Sequence, residues 1–121
     1  MEYQPISEVE ILDEINSSYE RMTLDQKRLW KLIKVTPKKW SEKQFGKTIG
    51  GFWVIAIIGD RVVWYNEIEE GFNQSQYHIY GEIDEYYCNQ DELEWVIQNI
   101  LNEIEGGYIP LIHLTPPDTN A

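Results

Sequence analysis

The sequence predicts an α+β domain in which helices come first, an antiparallel sheet follows, and an amphipathic helix packs on that sheet. Three observations predict this order. Apolar residues recur at helical spacing before residue 36, an unbroken apolar run occupies Phe52–Ile58, and an apolar stripe at helical spacing runs from residue 93 to residue 104. The 121 residues suffice for a single core. We expect one domain over residues 1–114 and a flexible tail over 115–121.

The N-terminal helices are predicted by capping boxes, in which a hydroxyl residue and a Glu or Gln three positions later cap each other's backbone N–H. Ser7 with Glu10 has this spacing, and Thr23 with Gln26 repeats it. The segment TPKKW at residues 36–40 indicates a short further helical turn, because threonine is a good N-cap and proline suits the first helical position.

A meander of three to four antiparallel strands is predicted after the helices. The run FWVIAII is apolar on both faces and is typical of a central strand. Gly59 and Asp60 then predict a tight hairpin turn into RVVWYNEI, residues 61–68. EEGFNQS, residues 69–75, indicates a second turn or a loop, and QYHIYGEIDEYY, residues 76–87, indicates the third strand.

The last helix is the most regular element of the sequence. Asn89 and Glu92 are predicted to cap its N-terminus, and Gly106 its C-terminus. A short edge strand, GGYIPLIHL at 106–114, is expected to follow. If the helices cover only one face of the sheet, the other face of Phe52–Ile58 needs a cover, for which a homodimer or a split helix layer would serve.

Charge is distributed unevenly along the chain. All ten Lys and Arg residues lie between Arg21 and Arg61, a segment that holds only three acids. The first 20 residues carry six acids and residues 62–121 carry twelve. The net charge of −11 disfavours nucleic acid and anionic membranes as partners and favours a basic protein. The alternative is that the basic segment pairs with the acidic flanks and the charge serves solubility. Lys27, Lys31 and Lys34 form one basic stripe on the second helix.

The location of the protein is predicted from three features. The acidic N-terminus lacks the basic and apolar segments of a secretory signal, and a single cysteine excludes an internal disulfide framework. No apolar run approaches the length of a membrane span. We expect a cytoplasmic protein.

Two ligand-binding motifs are incomplete. Gly46-Lys47-Thr48 matches the end of a phosphate-binding loop, but Ser41 replaces the first glycine of that pattern and a strand is predicted to follow. A calcium-binding EF-hand loop fails because Ile68 and Tyr77 stand at ligand positions. A looser site for a divalent cation stays open at Glu67, Glu69 and Glu70. Zinc ligands are scattered, so we predict no metal and no cofactor.

An enzyme is the main alternative class. Cys88 precedes the last helix, whose N-terminus could lower the pKa of a thiol, and His78 or His113 would be its base. Nearby carboxylates disfavour the thiolate, so a structural cysteine is expected. Two carboxylate pairs could hydrolyse glycosides, Glu67 with Glu69 and Glu82 with Asp84. Exposed acids lack the raised pKa that such chemistry needs, and we predict no catalytic function.

The stretch from Trp64 to Tyr87 combines carboxylates with tyrosines and amides. Carboxylates steer a basic partner, and aromatic side chains anchor it. The sequence therefore predicts a small acidic protein that binds a basic protein, as a regulator or an immunity- or antitoxin-like inhibitor. Alternatives are a small enzyme or ligand-binding protein, and a structural homodimer subunit. The candidate contact residues are Trp64, Tyr65, Glu67, Glu69, Glu70, Tyr80, Glu82, Asp84 and Tyr86.

Overall fold

The computed structural model describes residues 4–106, which contain four helices and five strands and are α+β as predicted. In chain order the elements are α1 (Glu8–Arg21), α2 (Leu24–Ile33), β1 (Lys34–Glu42), α3 (Gly46–Ile49), β2 (Phe52–Ile58), β3 (Arg61–Asn66), β4 (Gly71–Gln76), β5 (Glu82–Ile83) and α4 (Leu93–Glu105).

Both N-terminal helices begin where the capping boxes predict. The Ser7 hydroxyl accepts a hydrogen bond from Glu10 N (3.1 Å), and the Glu10 carboxylate accepts one from Ser7 N (2.9 Å). Thr23 and Gln26 make the same exchange at the start of α2. These helix starts are confirmed because a capping box is a local signal, complete within four residues.

The sheet has the strand order β4-β3-β2-β1-β5. β2, β3 and β4 form an antiparallel meander, and β1 pairs antiparallel with β2. β5 pairs in parallel with the end of β1, Ser41 lying opposite Glu82. The sheet is therefore mixed and has five strands, whereas we predicted a purely antiparallel sheet of three to four.

Residues 36–40 belong to β1, and the prediction of a helical turn there is wrong. Pro37 lies between Lys34 and Lys38, where the pairing with β2 shifts register. Proline is tolerated within a sheet at such an irregularity because its missing N–H is not needed by the neighbouring strand. The Thr-Pro pair therefore marks a bulge in a strand.

Residues 84–91, called the strap below, run along the outer edge of β4. At one end Asp84 N donates to Gln76 O (3.1 Å), and at the other Phe72 N donates to Asp91 O (2.8 Å). Because residue 84 directly follows β5, the first of these bonds joins the two ends of the strand order. The sheet is consequently curled.

β4 forms mostly from a segment that we predicted as a turn or loop, and of the predicted third strand at residues 76–87 only Gln76, the last residue of β4, and the two residues of β5 lie in strands. The reason is that the polar side chains of β4 find hydrogen-bond partners in the strap. Asn73 Nδ2 donates to Asn89 O (3.2 Å), and Asn89 N donates to Asn73 Oδ1 (3.0 Å). Polar residues that normally favour loops are thus satisfied inside the fold.

Apolar side chains form one cluster on each side of the curled sheet. The first lies under α1, α2 and α4 and includes Ile11, Ile15, Leu29, Trp30, Ile33, Ile55, Val63, Tyr65, Phe72, Leu93, Ile97 and Ile100. The second contains Trp40, Ile49, Phe52, Val54, Val62, Trp64 and Ile83, with Tyr77 and Tyr86 packed against it. The chain's own residues therefore cover the sheet face for which a homodimer was considered.

α4 packs against α1, α2 and β4, in agreement with the predicted C-terminal helix. Its N-cap is Glu92, while Asn89 belongs to the strap and does not cap the helix as predicted. The predicted edge strand after Gly106, the tail at 115–121 and His113 lie outside the described residues. None of the helices within residues 4–106 has the length and apolarity that crossing a membrane requires.

Candidate functional site

The turn between β3 and β4 is organised by Asn66. Its Oδ1 accepts hydrogen bonds from the N–H groups of Ile68 and Glu69 (3.0 and 3.2 Å), and its Nδ2 donates to Tyr87 O (2.9 Å). Glu70 N donates to Asn66 O (2.7 Å), and Glu70 has a positive φ of 61°. Asparagine favours such turns because its side chain bonds the backbone two residues on.

The segment before α1 is fixed to the same end of the sheet through Ile6. Ile6 N donates to Glu67 Oε2 (2.8 Å), and Trp53 Nε1 donates to Ile6 O (2.9 Å). Both bonds join residues more than 45 positions apart, by 61 and 47 positions. They hold the first turn of α1, including Glu10, beside the turn that carries Glu67.

Tyr65 and the surrounding carboxylates line a cavity of about 330 Å³, a size near the lower end of ligand-binding pockets. Its walls come from the segment before α1, from α1, from the end of β3 and from the turn that follows. The lining residues are Gln4, Pro5, Ile6, Glu10, Tyr65, Glu67 and Glu70.

The electrostatics around Tyr65 are strongly negative. Burial, which leaves the residue 7% exposed, and then the negative charges around it raise the pKa of Tyr65 to about 12. Those charges belong to Glu14, Glu70, Glu67 and Glu92. Together with Glu10, these four carboxylates and Tyr65 are called the acidic end below.

Few basic side chains form ion pairs with the acids within the described residues. In the part of the chain that the structure describes, Arg21 pairs with Glu92 and Glu94, and Arg61 pairs with Glu103. No lysine forms an ion pair within residues 4–106. Three lysine ammonium groups lie over aromatic rings, 5.0–5.4 Å from the ring centres. The alternative that the basic segment is neutralised by the acidic flanks therefore holds for two arginines.

The predicted contact residues around the turn differ in exposure. Trp64 is fully buried, and its Nε1 donates to Ser75 Oγ (2.9 Å), so its side chain belongs to the second core. Glu67 is also buried, whereas Glu70 is exposed and Glu69 half-buried. Tyr65, Glu67 and Glu70 are brought together at the acidic end.

Tyr80, Glu82 and Asp84 lie at a different place. Glu82 and Asp84 line a cavity of about 430 Å³ beside β1 and β5. Tyr80 is 62% exposed and its ring lies 4.8 Å from that of Trp40. Tyr86 is half-buried, with its ring 4.6 Å from that of Phe45. The candidate residues therefore divide between two surfaces and the core.

The second cavity contains His78, one of the two histidines that we considered as the base of an enzyme. His78 Nδ1 is hydrogen bonded to Asp84 Oδ2, and the lining also contains Ser41, Lys43 and Lys47. The His78 side chain is largely exposed, so the pair is in contact with solvent. Such an open pair lacks the shielding from water that strengthens electrostatic interactions within an active site.

Cys88 is exposed and lies in the strap, five residues before α4 begins. It therefore does not occupy the N-terminus of that helix, which was the reason to consider it a nucleophile. The cavity that His78 lines is not lined by Cys88. The carboxylates of Glu67 and Glu69 were considered as a pair for glycoside hydrolysis. They do not lie on one face of a strand, because β3 ends at Asn66.

The residues that resemble a phosphate-binding loop are already bound by a carboxylate of the chain itself. Glu42 is buried and accepts hydrogen bonds from the N–H groups of Gln44, Phe45 and Gly46 (2.9, 2.7 and 3.0 Å). A Cβ on Gly46 would lie 2.9 Å from Glu42 Cβ, so the glycine permits this close contact. The backbone donors that would hold a phosphate are thus used internally.

Within residues 4–106, no three Asp, Glu, His or Cys side chains converge in a way that could hold a metal ion. Two carboxylates of the turn instead differ in their surroundings. Glu67 binds the backbone of Ile6, while Glu70 lies exposed at a left-handed position.

Sequence reasoning missed Glu10, Glu14 and Glu92, which belong to the acidic end but not to the stretch between Trp64 and Tyr87. Glu10 and Glu14 are four residues apart and hence on one side of α1. That spacing is a signal for a shared acidic face, but it does not show which end of the sheet the face adjoins.

Comparison with known proteins yields no matching family model, no similar curated protein and no similar solved structure. The function must therefore be argued from the geometry and charge of the site.

Proposed function

We propose that this chain is a non-catalytic protein that binds a basic segment of another protein at its acidic end. The observation that carries the proposal is the cavity of Tyr65, which Glu10, Glu67 and Glu70 line, with further negative charge around Tyr65 from Glu14 and Glu92. A regulatory or inhibitory function, as in immunity proteins and antitoxins, would use such a surface.

The charge around the cavity favours a cationic side chain. Tyr65 is neutral at physiological pH, as any tyrosine of ordinary pKa is, and the raised pKa of about 12 extends this neutrality to more alkaline pH, so its hydroxyl and ring add no charge. Lys and Arg supply several donors for carboxylate acceptors, and an Arg guanidinium can bind one carboxylate through two parallel bonds.

The net charge of −11 would further assist a basic partner by accelerating its diffusional encounter. Local geometry would then decide where the partner binds. Because ion pairs are screened beyond about 8 Å at physiological salt, the five carboxylates at one end matter more than the distant acids.

The test is a titration of isotope-labelled protein with a short Lys- and Arg-rich peptide, followed by NMR. Signals around Tyr65 are expected to shift, and binding should weaken with added salt. Glu14→Lys with Glu70→Lys should reduce affinity about tenfold or more, because like charges then oppose the peptide. Both residues are exposed, so folding is spared, whereas reversing the buried Glu67 would remove the bond to Ile6.

The matched control is Glu20→Lys with Glu105→Lys, which changes the net charge equally at exposed residues outside the acidic end. Its affinity is expected to stay within about twofold of the wild type. Equal losses in both double variants would mean that the peptide senses only net charge. Shifts confined to Tyr80, Glu82 and Asp84 would assign the docking surface to the other cavity.

A further inference from the structure

The outer face of α2 has a composition unlike that of an ordinary solvated helix. Leu29, Trp30 and Ile33 bury the inner side, yet Leu24 and Leu32 are 63% and 83% exposed on the outer side. Basic residues lie beside these two leucines on the same side of the helix. The outer face of α2 is defined here as Leu24, Lys27, Arg28, Lys31, Leu32 and Lys34.

The cations of this face are available for an intermolecular contact. Arg28, Lys31 and Lys34 are exposed, and within the described residues none of them pairs with a carboxylate. Lys27 lies over the ring of Tyr19 at 5.0 Å. A face that mixes unpaired cations with exposed leucines fits a surface of opposite charge that also offers apolar area.

We infer that the outer face of α2 binds the acidic end of a second copy of this chain. Charge complementarity carries the inference, because the four cations of the α2 face would meet the exposed carboxylates of the acidic end, which include Glu10, Glu14 and Glu70. Pro5 and Ile6, which line the cavity of the acidic end, give the exposed leucines an apolar neighbour.

This contact would join two different surfaces and would therefore be heterologous. Such contacts continue from copy to copy unless the rotation closes a ring. Each molecule in the assembly would use one acidic end and one α2 face. The inference requires the acidic end to be a binding surface, as the proposed function does, but it requires no foreign protein.

The net charge favours a second copy over a membrane or a nucleic acid. A chain with a net charge of −11 is repelled by anionic lipid and by phosphate backbones. The small basic face of α2 does not offset that long-range repulsion. The same repulsion acts between copies, but there the α2 face meets the complementary acidic end directly, at distances where salt screens the repulsion between more distant charges.

The test measures self-association by sedimentation velocity over a range of protein concentrations. The wild type is expected to associate with increasing concentration. Arg28→Glu with Lys31→Glu, and separately Glu14→Lys with Glu70→Lys, should each weaken association about tenfold or more. Mixing the two variants should give a one-to-one complex that does not grow, because one acidic end and one α2 face remain intact.

Lys43→Glu with Lys47→Glu and Glu20→Lys with Glu105→Lys are the charge-matched controls and should associate like the wild type. Circular dichroism melts establish that each variant folds. A wild type that stays monomeric at every concentration overturns the inference, as does a mixture that forms no complex. Binding of the wild type to phosphatidylserine vesicles or RNA, lost with Arg28→Glu and Lys31→Glu, would also overturn it in favour of an anionic surface.

The result is separable from that of the peptide titration. Arg28→Glu with Lys31→Glu removes only the α2 face, so peptide binding at the acidic end should persist in this variant. Failure of self-association with intact peptide binding therefore rejects the second-copy contact alone, while loss of peptide binding in the wild type rejects the proposed function.

Discussion

The two edges of the curled sheet are protected in different ways. β4 is covered along its length by the strap, through two backbone bonds and several side-chain bonds. β1 pairs with β5 only at Ser41 and Glu42, and within the described residues no other strand pairs with its outer edge. That open part instead carries Pro37, Lys38 and Lys39.

The difference shows that one sheet can protect one edge with a covering segment and the other edge with residues that oppose strand pairing. Covering an edge requires a distant segment to fit closely, so it is sensitive to single side chains. Blunting an edge with lysine and proline requires only local composition, because these residues oppose pairing with another chain. Substitutions should therefore affect folding at β4 and association at β1.

The largest effect is expected from Gly71→Ala at the covered edge. A Cβ there would lie 2.3 Å from both Asn89 O and Gln90 Cα, and these backbone atoms cannot rotate away. The strap must then shift, at a cost of about 3 kcal/mol in the free energy of unfolding. Urea denaturation measures this loss.

Gly50→Ala is the control for Gly71→Ala, since Gly50 has open space around it but a φ of 79°. Its loss should be only about 1 kcal/mol, from backbone strain alone. Equal losses of unfolding free energy in the two variants would show that close contact between the strap and β4 does not cause the loss in Gly71→Ala.

A smaller effect is expected from Asn73→Ala. The substitution removes a buried side chain whose amide bonds both the N–H and the C=O of Asn89. The strap should lose about 2 kcal/mol of stabilisation, since its polar backbone groups lose their partner. Hydrogen exchange at residues 84–91 should accelerate in this variant. Asn99→Ala, an exposed substitution on α4, should leave that exchange unchanged.

The smallest effect on stability is expected at the open edge. Pro37→Val with Lys38→Val should change the free energy of unfolding by only about 0.5 kcal/mol, since Lys38 is exposed. Aggregation measured by light scattering should nevertheless accelerate, because a strand edge without proline and lysine can pair with another chain. Lys47→Val removes one charge elsewhere and should not accelerate it. If both variants aggregate alike, lost charge rather than the open edge is responsible.

The same contrast explains which parts of the fold could be predicted. Capping boxes, the hairpin turn at Gly59 and Asp60 and the stripe of α4 are local patterns, and the structure confirms them. β4 was missed because its strand character depends on Asn89, 16 residues from Asn73. No local pattern shows that the buried polar side chain of Asn73 finds its partner in the strap.

The candidate site was predictable only in part for a related reason. Glu67 and Glu70 were identified from composition, but composition does not distinguish an exposed carboxylate from one that binds the backbone of Ile6. Trp64 was placed at the surface because aromatic residues suit both interfaces and cores. The contribution of Glu14 and Glu92 depends on how α1 and α4 pack, which spacing within each helix does not determine.

The hydrogen bonds that hold α1 and α2 in place also bear on the order in which the protein can be made. Arg21 bonds Glu94, and Gln26 bonds Gln98, across 73 and 72 positions. Domains fold during synthesis as their parts emerge from the ribosome, N-terminal parts first. Both helices emerge before α4, the helix on which they pack. Their apolar sides therefore lack part of their cover until α4 has been synthesised.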